Sequence, residues 1–295
     1  MSTVIANLRT IGIISHGGAG KTSLAEAMIF TTGSSKRLGK VDDGTSIMDY
    51  DPEEISRQIT LSSSFSTFNW QNSSITIIDT PGDFNFLVDT QTCLHGVDGA
   101  VVVIDAIDGV KVQTEKVWEF ADELNLPRLI AINKMDRERA DFFKVVAEIK
   151  EIFGDKATPV HLPIGAAETF NGLVDLLGGK AYQFQDDGSG KMKEIDIPSD
   201  LEDLVASQQE QIIERIAESD DILLEKYLEG EELTDEELVE GLRNGCVAGD
   251  IIPITCGSAT KNMGTQMLLD LIVQCLPSPL DRGDKTGVNP KTDEE

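Results

Sequence analysis

Between residues 14 and 24 the chain reads "ISHGGAGKTSL", a glycine-rich turn with one lysine, the kind of peptide that wraps an anion. In the pattern G-x-x-x-x-G-K-[ST], consecutive backbone N–H groups and a helix N-terminus surround a row of phosphates. The lysine reaches the outermost of them and the hydroxyl binds magnesium. Gly20, Lys21 and Thr22 fit this pattern, while Ser15 takes the first glycine position. Such a turn is also an ordinary strand-to-helix connection, so its flanks matter. An apolar run, "TIGII", precedes it and a helix-like segment, "SLAEAMIF", follows it, which is the setting a phosphate loop requires.

Three further pieces follow in order. In "IIDTPGD", residues 77 to 83, Asp79 at the end of a buried strand can hold magnesium through water, and Gly82 can offer its backbone N–H to a terminal phosphate. A lone D-x-x-G is a common turn; its position, at the end of what should be the adjacent strand, gives it weight. In "NKMD", residues 133 to 136, Asp136 can accept two parallel hydrogen bonds from a guanine edge, which adenine cannot donate. Asn133 can bind the ring and Lys134 can cover it with its stem. Taken alone, this tetrapeptide reads equally as a turn with a helix N-cap. In "CGSA", residues 256 to 259, small residues let the backbone of Ser258 and Ala259 approach the base oxygen. Together the four predict guanine nucleotide binding. A P-loop enzyme using ATP would rest on the first piece alone, and Asp136 opposes it.

The elements that must position these loops are short apolar runs: "TIGIIS", "SITIIDTPG", "GAVVVIDA", "LPRLIAINKMD" and, much later, "DIIPITCGSA". Runs apolar on both faces suit strands of a buried, mostly parallel sheet, with helices between them. One such helix is expected where Val112, Val117, Phe120, Ala121 and Leu124 recur at helical spacing. The sum is a doubly wound α/β fold with ligand loops at the carboxyl ends of its strands. About 110 residues separate "NKMD" from the last run, too many for one crossover helix, so an inserted α+β subdomain is expected. The division predicted is 1–156 for the first part, 157–249 for the insert, 250–283 for the last strand and helix, and 284–295 for a polar linker or disordered tail.

Of 295 residues, 52 are acidic and 25 basic, for a formal net charge of -27. So acidic a surface repels nucleic acid phosphates and anionic lipids. The acids concentrate between residues 186 and 240, where 20 face 4 basic residues; solvated helix faces and a docking surface both fit this pattern. The four cysteines form no C-x-x-C pair or His/Cys cluster, which argues against a zinc site or a disulfide framework and suits a reducing cytoplasm. Cys93 and His95 read as structural. No leader-like or membrane-spanning apolar run is visible, so a soluble, non-secreted chain is expected. An anion can still be held, because amide dipoles, one lysine and a divalent cation supply the field locally.

At this level of detail the sequence resembles the translational GTPases and, within them, elongation factor G and its paralogues. "SHGGAGKTSL" resembles that family's A-H-x-D-A-G-K-T-T, "DPEEISRQITL" its first switch and "DTPGDFNF" its D-T-P-G-H-x-D-F. "INKMDRERADF" and "CGSATKNMGTQMLLD" sit close to their counterparts, and "LPIGAAETFNGLVDLL", "KYLEGEELTDEEL" and "LPSPLDRG" resemble stretches particular to elongation factor G. The likeness spans residues 8 to 283. It implies a P-loop NTPase fold that binds GTP or GDP with magnesium through His16, Gly17, Gly18, Ala19, Gly20, Lys21, Thr22, Ser23, Asn133, Lys134, Asp136, Ser258 and Ala259. Thr22, Thr60 and Asp79 would serve the metal, and Lys21, Thr60, Gly82 and Asp83 the hydrolysis. Thr60 would be the switch threonine, engaged only with GTP.

The same likeness implies a monomeric cytoplasmic chain that works on the ribosome, with the insert as the G-prime subdomain meeting the ribosomal stalk protein. The family continues past this point into further domains, so the expected piece is the G domain of a larger factor. Four positions depart from the family: Asp83 stands for a histidine that helps place the attacking water, Gly17 for a bulky apolar residue, Gly18 for an aspartate and Gln58 for a glycine. A carboxylate about 5 Å from another negative charge is unfavourable by roughly 3 kcal/mol at an effective dielectric of 20. Binding rests on backbone contacts and should survive; the departures bear on hydrolysis. The alternative is a guanine-nucleotide binding module with vestigial hydrolysis, acting as a regulatory or ribosome-associated protein.

Overall fold

A computed structural model describes residues 2–283. The tail expected at 284–295 lies outside the described residues. A short helix, α1 (Ser2–Ala6), leads into β1 (Leu8–Ile14), the phosphate-loop region and α2 (Lys21–Thr31). A long excursion holding the short α3 (Pro52–Arg57) then returns through β2 (Ser64–Trp70) to β3 (Ser73–Asp79), α4 (Leu87–Leu94), β4 (Gly99–Asp105), α5 (Val112–Glu123), β5 (Arg128–Asn133) and α6 (Phe142–Phe153). Next come β6 (Ala157–Pro159) and an antiparallel set, β7 (His161–Ile164), β8 (Gly172–Asp175), β9 (Lys180–Phe184) and β10 (Met192–Ile195). The helices α7 (Glu202–Glu218), α8 (Asp221–Glu229) and α9 (Asp235–Ala248) follow, then β11 (Ile252–Cys256) and α10 (Thr265–Cys275).

Among the described residues, seven strands form one sheet in the order β2-β3-β1-β4-β5-β11-β6, parallel except where β2 pairs antiparallel with β3. The fold is a doubly wound α/β fold with an inserted subdomain, as the apolar runs required. Every residue of β4, β5 and β11 is buried, because helices cover both faces of these central strands. By contrast β3 alternates, burying Ile75 and Ile77 while Thr76 and Ile78 are only half covered. The large sheet takes in 157–159, which the sequence grouped with the insert; β6 pairs with β11 from Ala157 to Pro159.

The insert's own sheet has the order β10-β9-β8-β7. His161 ties it to the large sheet, its Nδ1 lying 2.8 Å from the Thr255 hydroxyl on β11. Helix α7 turns Val205, Ile212 and Ile216 inward and leaves most of its acids in water, the division expected of an amphipathic helix. Helix α9 starts at a capping box, in which Thr234 accepts from the Glu237 N–H and the Glu237 carboxylate accepts from the Thr234 N–H. The helix expected from the spacing of Val112 to Leu124 forms as α5. Val112 is 74% exposed, since it opens the first turn of α5 and the buried stripe begins at Thr114 and Val117. No helix among the described residues is long and apolar enough to cross a membrane.

Candidate nucleotide site

The four loops named by the sequence meet at the carboxyl edge of the large sheet. The first runs from Ser15 to Gly20 between β1 and α2, with Gly18 at φ 84° and Gly20 at φ 95°, a left-handed conformation that glycine adopts without the cost of a Cβ. A Cβ on Gly20 would lie 2.3 Å from Asn133 Nδ2, so this position is also closed by the neighbouring loop. Asn133 joins three loops at once: its Nδ2 donates to the Ala19 carbonyl and its Oδ1 accepts from the Ala259 N–H, both at 3.0 Å. Lys134 donates to the Gly18 carbonyl and to the Asp105 carboxylate, both at 2.6 Å, which stretches its stem between the glycine-rich loop and the end of β4. Burial pushes the Asp105 carboxyl up, but the Lys134 ammonium and the N–H groups of Ile107 and Asp108 hold it below its ordinary value.

Asp136 is the informative residue in this half of the site. Its side chain is 8% exposed, its nearest cation is Arg137 at 4.0 Å, and its Oδ1 is buried without a hydrogen-bond partner. The Ser258 hydroxyl is buried and unpartnered as well. Buried polar atoms are nearly always satisfied in a folded protein, so orphans clustered at a loop junction mark where a ligand's polar edge belongs.

The other half of the site is built on Lys21 and Thr22, the first two residues of α2. The Lys21 ammonium is buried and donates to the His16 carbonyl at 3.0 Å and the Ser15 carbonyl at 3.4 Å. Burial pushes it down to about 8 against the pull of Asp79 and Asp49. The Thr22 and Thr60 hydroxyl oxygens are 2.9 Å apart, and Thr60 donates onward to Asp49 Oδ1 at 2.9 Å. Adjacent ligands on an octahedral magnesium with bonds of 2.0–2.1 Å are about 2.9 Å apart, so the two hydroxyls fit neighbouring positions on that ion. Beside Lys21 and Thr22, both oxygens of Asp79 are buried without a partner. Burial pushes its carboxyl up to about 7, with Lys21 and the nearby Thr22 hydroxyl opposing, and a divalent cation would relieve that cost. The donor set is all oxygen, as magnesium prefers.

Gly82 presses its backbone against the phosphate loop. A Cβ there would sit 2.2 Å from Lys21 Nζ and 2.7 Å from the Gly17 nitrogen, which accounts for glycine at this point. Gly17 in turn faces the Gly82 carbonyl, where a Cβ would make ordinary contact at 3.4 Å. Asp83 is turned to its own chain: its carboxylate caps the 3-10 turn Phe84–Phe86, accepting from the Asn85 N–H at 2.9 Å and the Asn85 side-chain amide at 2.8 Å. His16 contributes backbone to the loop, while its ring points to α5, with Nδ1 2.7 Å from the Thr114 hydroxyl. Burial, with Lys111 and Lys21 adding to it, pushes that imidazole down to about 4, so it stays neutral near pH 7. Ser23 lies half-buried in the first turn of α2. Gln58 caps α3 at φ 57°, a left-handed conformation that costs a non-glycine residue roughly 1–2 kcal/mol.

Sequence reasoning missed four buried carboxylates, one of them Asp105 beside Lys134. Asp49 accepts from Thr60, and its other oxygen is unpartnered. Glu26 and Glu54 hold the excursion between α2 and β2. The available signal was an acid inside an apolar stretch, as in "SIMDY" and "LAEAMIF", where solvent exposure would be wasteful.

A glycine-rich loop between strand and helix, a buried aspartate oxygen without a partner and two hydroxyls 2.9 Å apart, all on one edge of a doubly wound sheet, are the arrangement expected of a P-loop GTPase domain. The family model for the elongation factor Tu GTP binding domain matches residues 6–278. This chain belongs to that family. It is also similar to the crystal structure of a protein from Thermus thermophilus, with 33% sequence identity and a TM-score of 0.89 over 95% of this chain. The match spans 42% of that longer chain.

Proposed function

We propose that this chain is the GTP-hydrolysing switch domain of an elongation factor G-type translation factor that acts on the ribosome. The observation that carries the reading is the meeting of Thr60 with Thr22 at 2.9 Å. A residue thirty-eight positions along the chain has folded back onto the phosphate loop, as a γ-phosphate sensor must. Magnesium held by Thr22, Thr60 and Asp79 would offset charge on the phosphate oxygens. Lys21, freed from the His16 carbonyl, places its ammonium on the β and γ oxygens, where charge is spread in the transition state. The Gly82 N–H reports the γ-phosphate to the segment that follows it. Asn133, Asp136, Ser258 and Ala259 select guanine and hold it in register with the loop.

Orientation of the attacking water falls to Asp83, whose carboxylate must leave Asn85 to do it. The same observation favours a second reading, a binding module in which hydrolysis is vestigial. Multiple-turnover phosphate release from GTP, with and without ribosomes, separates the two. Stimulated release that changes in rate on Asp83→His supports the first reading; no release above background in either condition supports the second. The acidic helices of the segment 157–249 fit docking of the ribosomal stalk protein, and we place the domain in the cytoplasm as a monomer that binds no free nucleic acid.

A further inference from the structure

The segment that delivers Thr60 is fastened at a point outside the nucleotide site. Glu26 lies one helical turn beyond Thr22 on α2 and is fully buried. Its Oε1 accepts from the Ser46 hydroxyl at 2.8 Å, from the Met48 N–H at 3.0 Å and from the Ile47 N–H between them. The Ser46 hydroxyl oxygen accepts in turn from the Met48 and Asp49 N–H groups at 3.1 Å, so residues 46–49 wrap the carboxylate in a concave nest of donors. On its other side Glu26 Oε2 faces Gly39, where a Cβ would lie only 2.1 Å away. The chain therefore passes the carboxylate with backbone alone.

The last residue of this nest is Asp49, which accepts from Thr60, and Thr60 meets Thr22. The path closes a ring. Thr22 and Glu26, four residues apart and so on one face of α2, are two hooks that grip the same excursion. At its far end a second buried carboxylate, Glu54, accepts from the Asp51, Leu61 and Ser62 N–H groups, which fixes the stretch around Thr60 as a folded unit. Charge-assisted hydrogen bonds to a buried carboxylate are roughly twice as strong as neutral ones, so Glu26 weighs more than its single side chain suggests.

We propose that Glu26 is a positioning residue: it holds the 46–49 turn on α2 so that Asp49 and Thr60 stand ready over the metal site, and it thereby sets the preference for guanosine triphosphate over diphosphate. The inference rests on the switch reading of the site. Diphosphate is held by the phosphate loop and the base loops, which Glu26 does not touch, whereas the γ-phosphate needs the excursion closed.

The test is equilibrium binding of GDP and of a non-hydrolysable GTP analogue, with magnesium, to the full chain. Glu26→Ala is expected to leave GDP affinity within about threefold and to weaken the analogue roughly tenfold. Glu26→Gln, which keeps an acceptor oxygen in place, restores most of that loss. Ser46→Ala, a half-buried loop change that spares the core, shifts the ratio in the same direction by a smaller factor and carries the test should Glu26→Ala not fold. An unchanged GTP-to-GDP ratio in folded Glu26→Ala or, where that variant does not fold, in Ser46→Ala overturns the proposal, as does an equal loss of both nucleotides. A wild-type chain that binds neither nucleotide overturns the reading of the site itself and this inference with it. A wild type that binds both without releasing phosphate overturns only the hydrolytic reading and leaves the ratio test in force.

Discussion

Base selection is the property on which the site reading is most exposed, and Asp136→Asn probes it with almost no change of shape. The Asp136 Oδ1 is buried and unpartnered, with its nearest cation 4.0 Å away on an exposed arginine. A guanine would place its ring N–H and its exocyclic amino group against this carboxylate. Each hydrogen bond to a charged partner contributes about 1.5–3 kcal/mol, so losing one and weakening the other should cost about 3–4 kcal/mol. At 1.4 kcal/mol per factor of ten, GDP affinity should fall by roughly two to three orders of magnitude. The asparagine amide nitrogen would face the guanine amino group, donor against donor. Xanthine carries a carbonyl there, so a xanthosine diphosphate should bind the variant better than GDP does. Isothermal titration of wild type and variant with GDP, xanthosine diphosphate and ADP, each with magnesium, measures all the terms. Wild type that takes ADP as readily as GDP, or a variant that keeps GDP within a few-fold, would refute the assignment of Asp136 to the base edge.

Gly82→Ala forces a methyl group to within 2.2 Å of Lys21 Nζ and 2.7 Å of the Gly17 nitrogen; the expected outcome is a folded chain with GTP turnover down roughly a hundredfold, read by phosphate release alongside a thermal melt. Burial pushes His161 down to about 4 against the pull of Asp175, below the unfolded value near 6.5, so the unfolded chain takes up the proton first. The stability that His161 contributes is complete above about pH 6.5 and is lost as pH falls towards 4, with about 2 kcal/mol gone by pH 5. Urea unfolding of wild type against His161→Gln at pH 7 and pH 5 should show the gap between them move by that amount towards the variant, and parallel pH dependences would contradict the burial argument.

The loops of the site were legible because each hangs on the end of an apolar strand, and a parallel sheet brings those ends to one edge whatever the details between them. What escaped has a common cause. Strand β2, "SFSTFNW", lies at the sheet's edge, where Phe65 is exposed and Phe68 buried; the residues between them are serine and threonine, and periodicity gives no clear signal. The carboxylates of Glu26, Asp49 and Asp105 take partners 20, 11 and 29 residues away, distances over which local pattern carries no information. Asp83 illustrates the converse. Its position in the motif aimed it at the phosphates, but a donor two residues on, the Asn85 N–H, is always within reach, and an aspartate in that setting folds back on its own turn. Gln58 could be named as a departure, yet that it must adopt a left-handed cap emerges only with α3 in place.

The net charge of -27 does not contradict a triphosphate site once distance and burial are separated. Solvated acids on α7, α8 and α9 act over about 8 Å at physiological salt, so they shape what meets that surface and are largely screened beyond it. Within the site the dielectric is lower and each charge counts for more. There Asp105 answers Lys134 at 2.6 Å, while Lys21 lies buried close to two carboxylates, those of Asp79 and Asp49, that lack full complements of partners. A phosphate chain brought beside Asp79 and Asp49 would meet carboxylates as well as Lys21, so on the proposed reading a divalent cation should tighten nucleotide binding, and chelation of magnesium is the measurement that checks it.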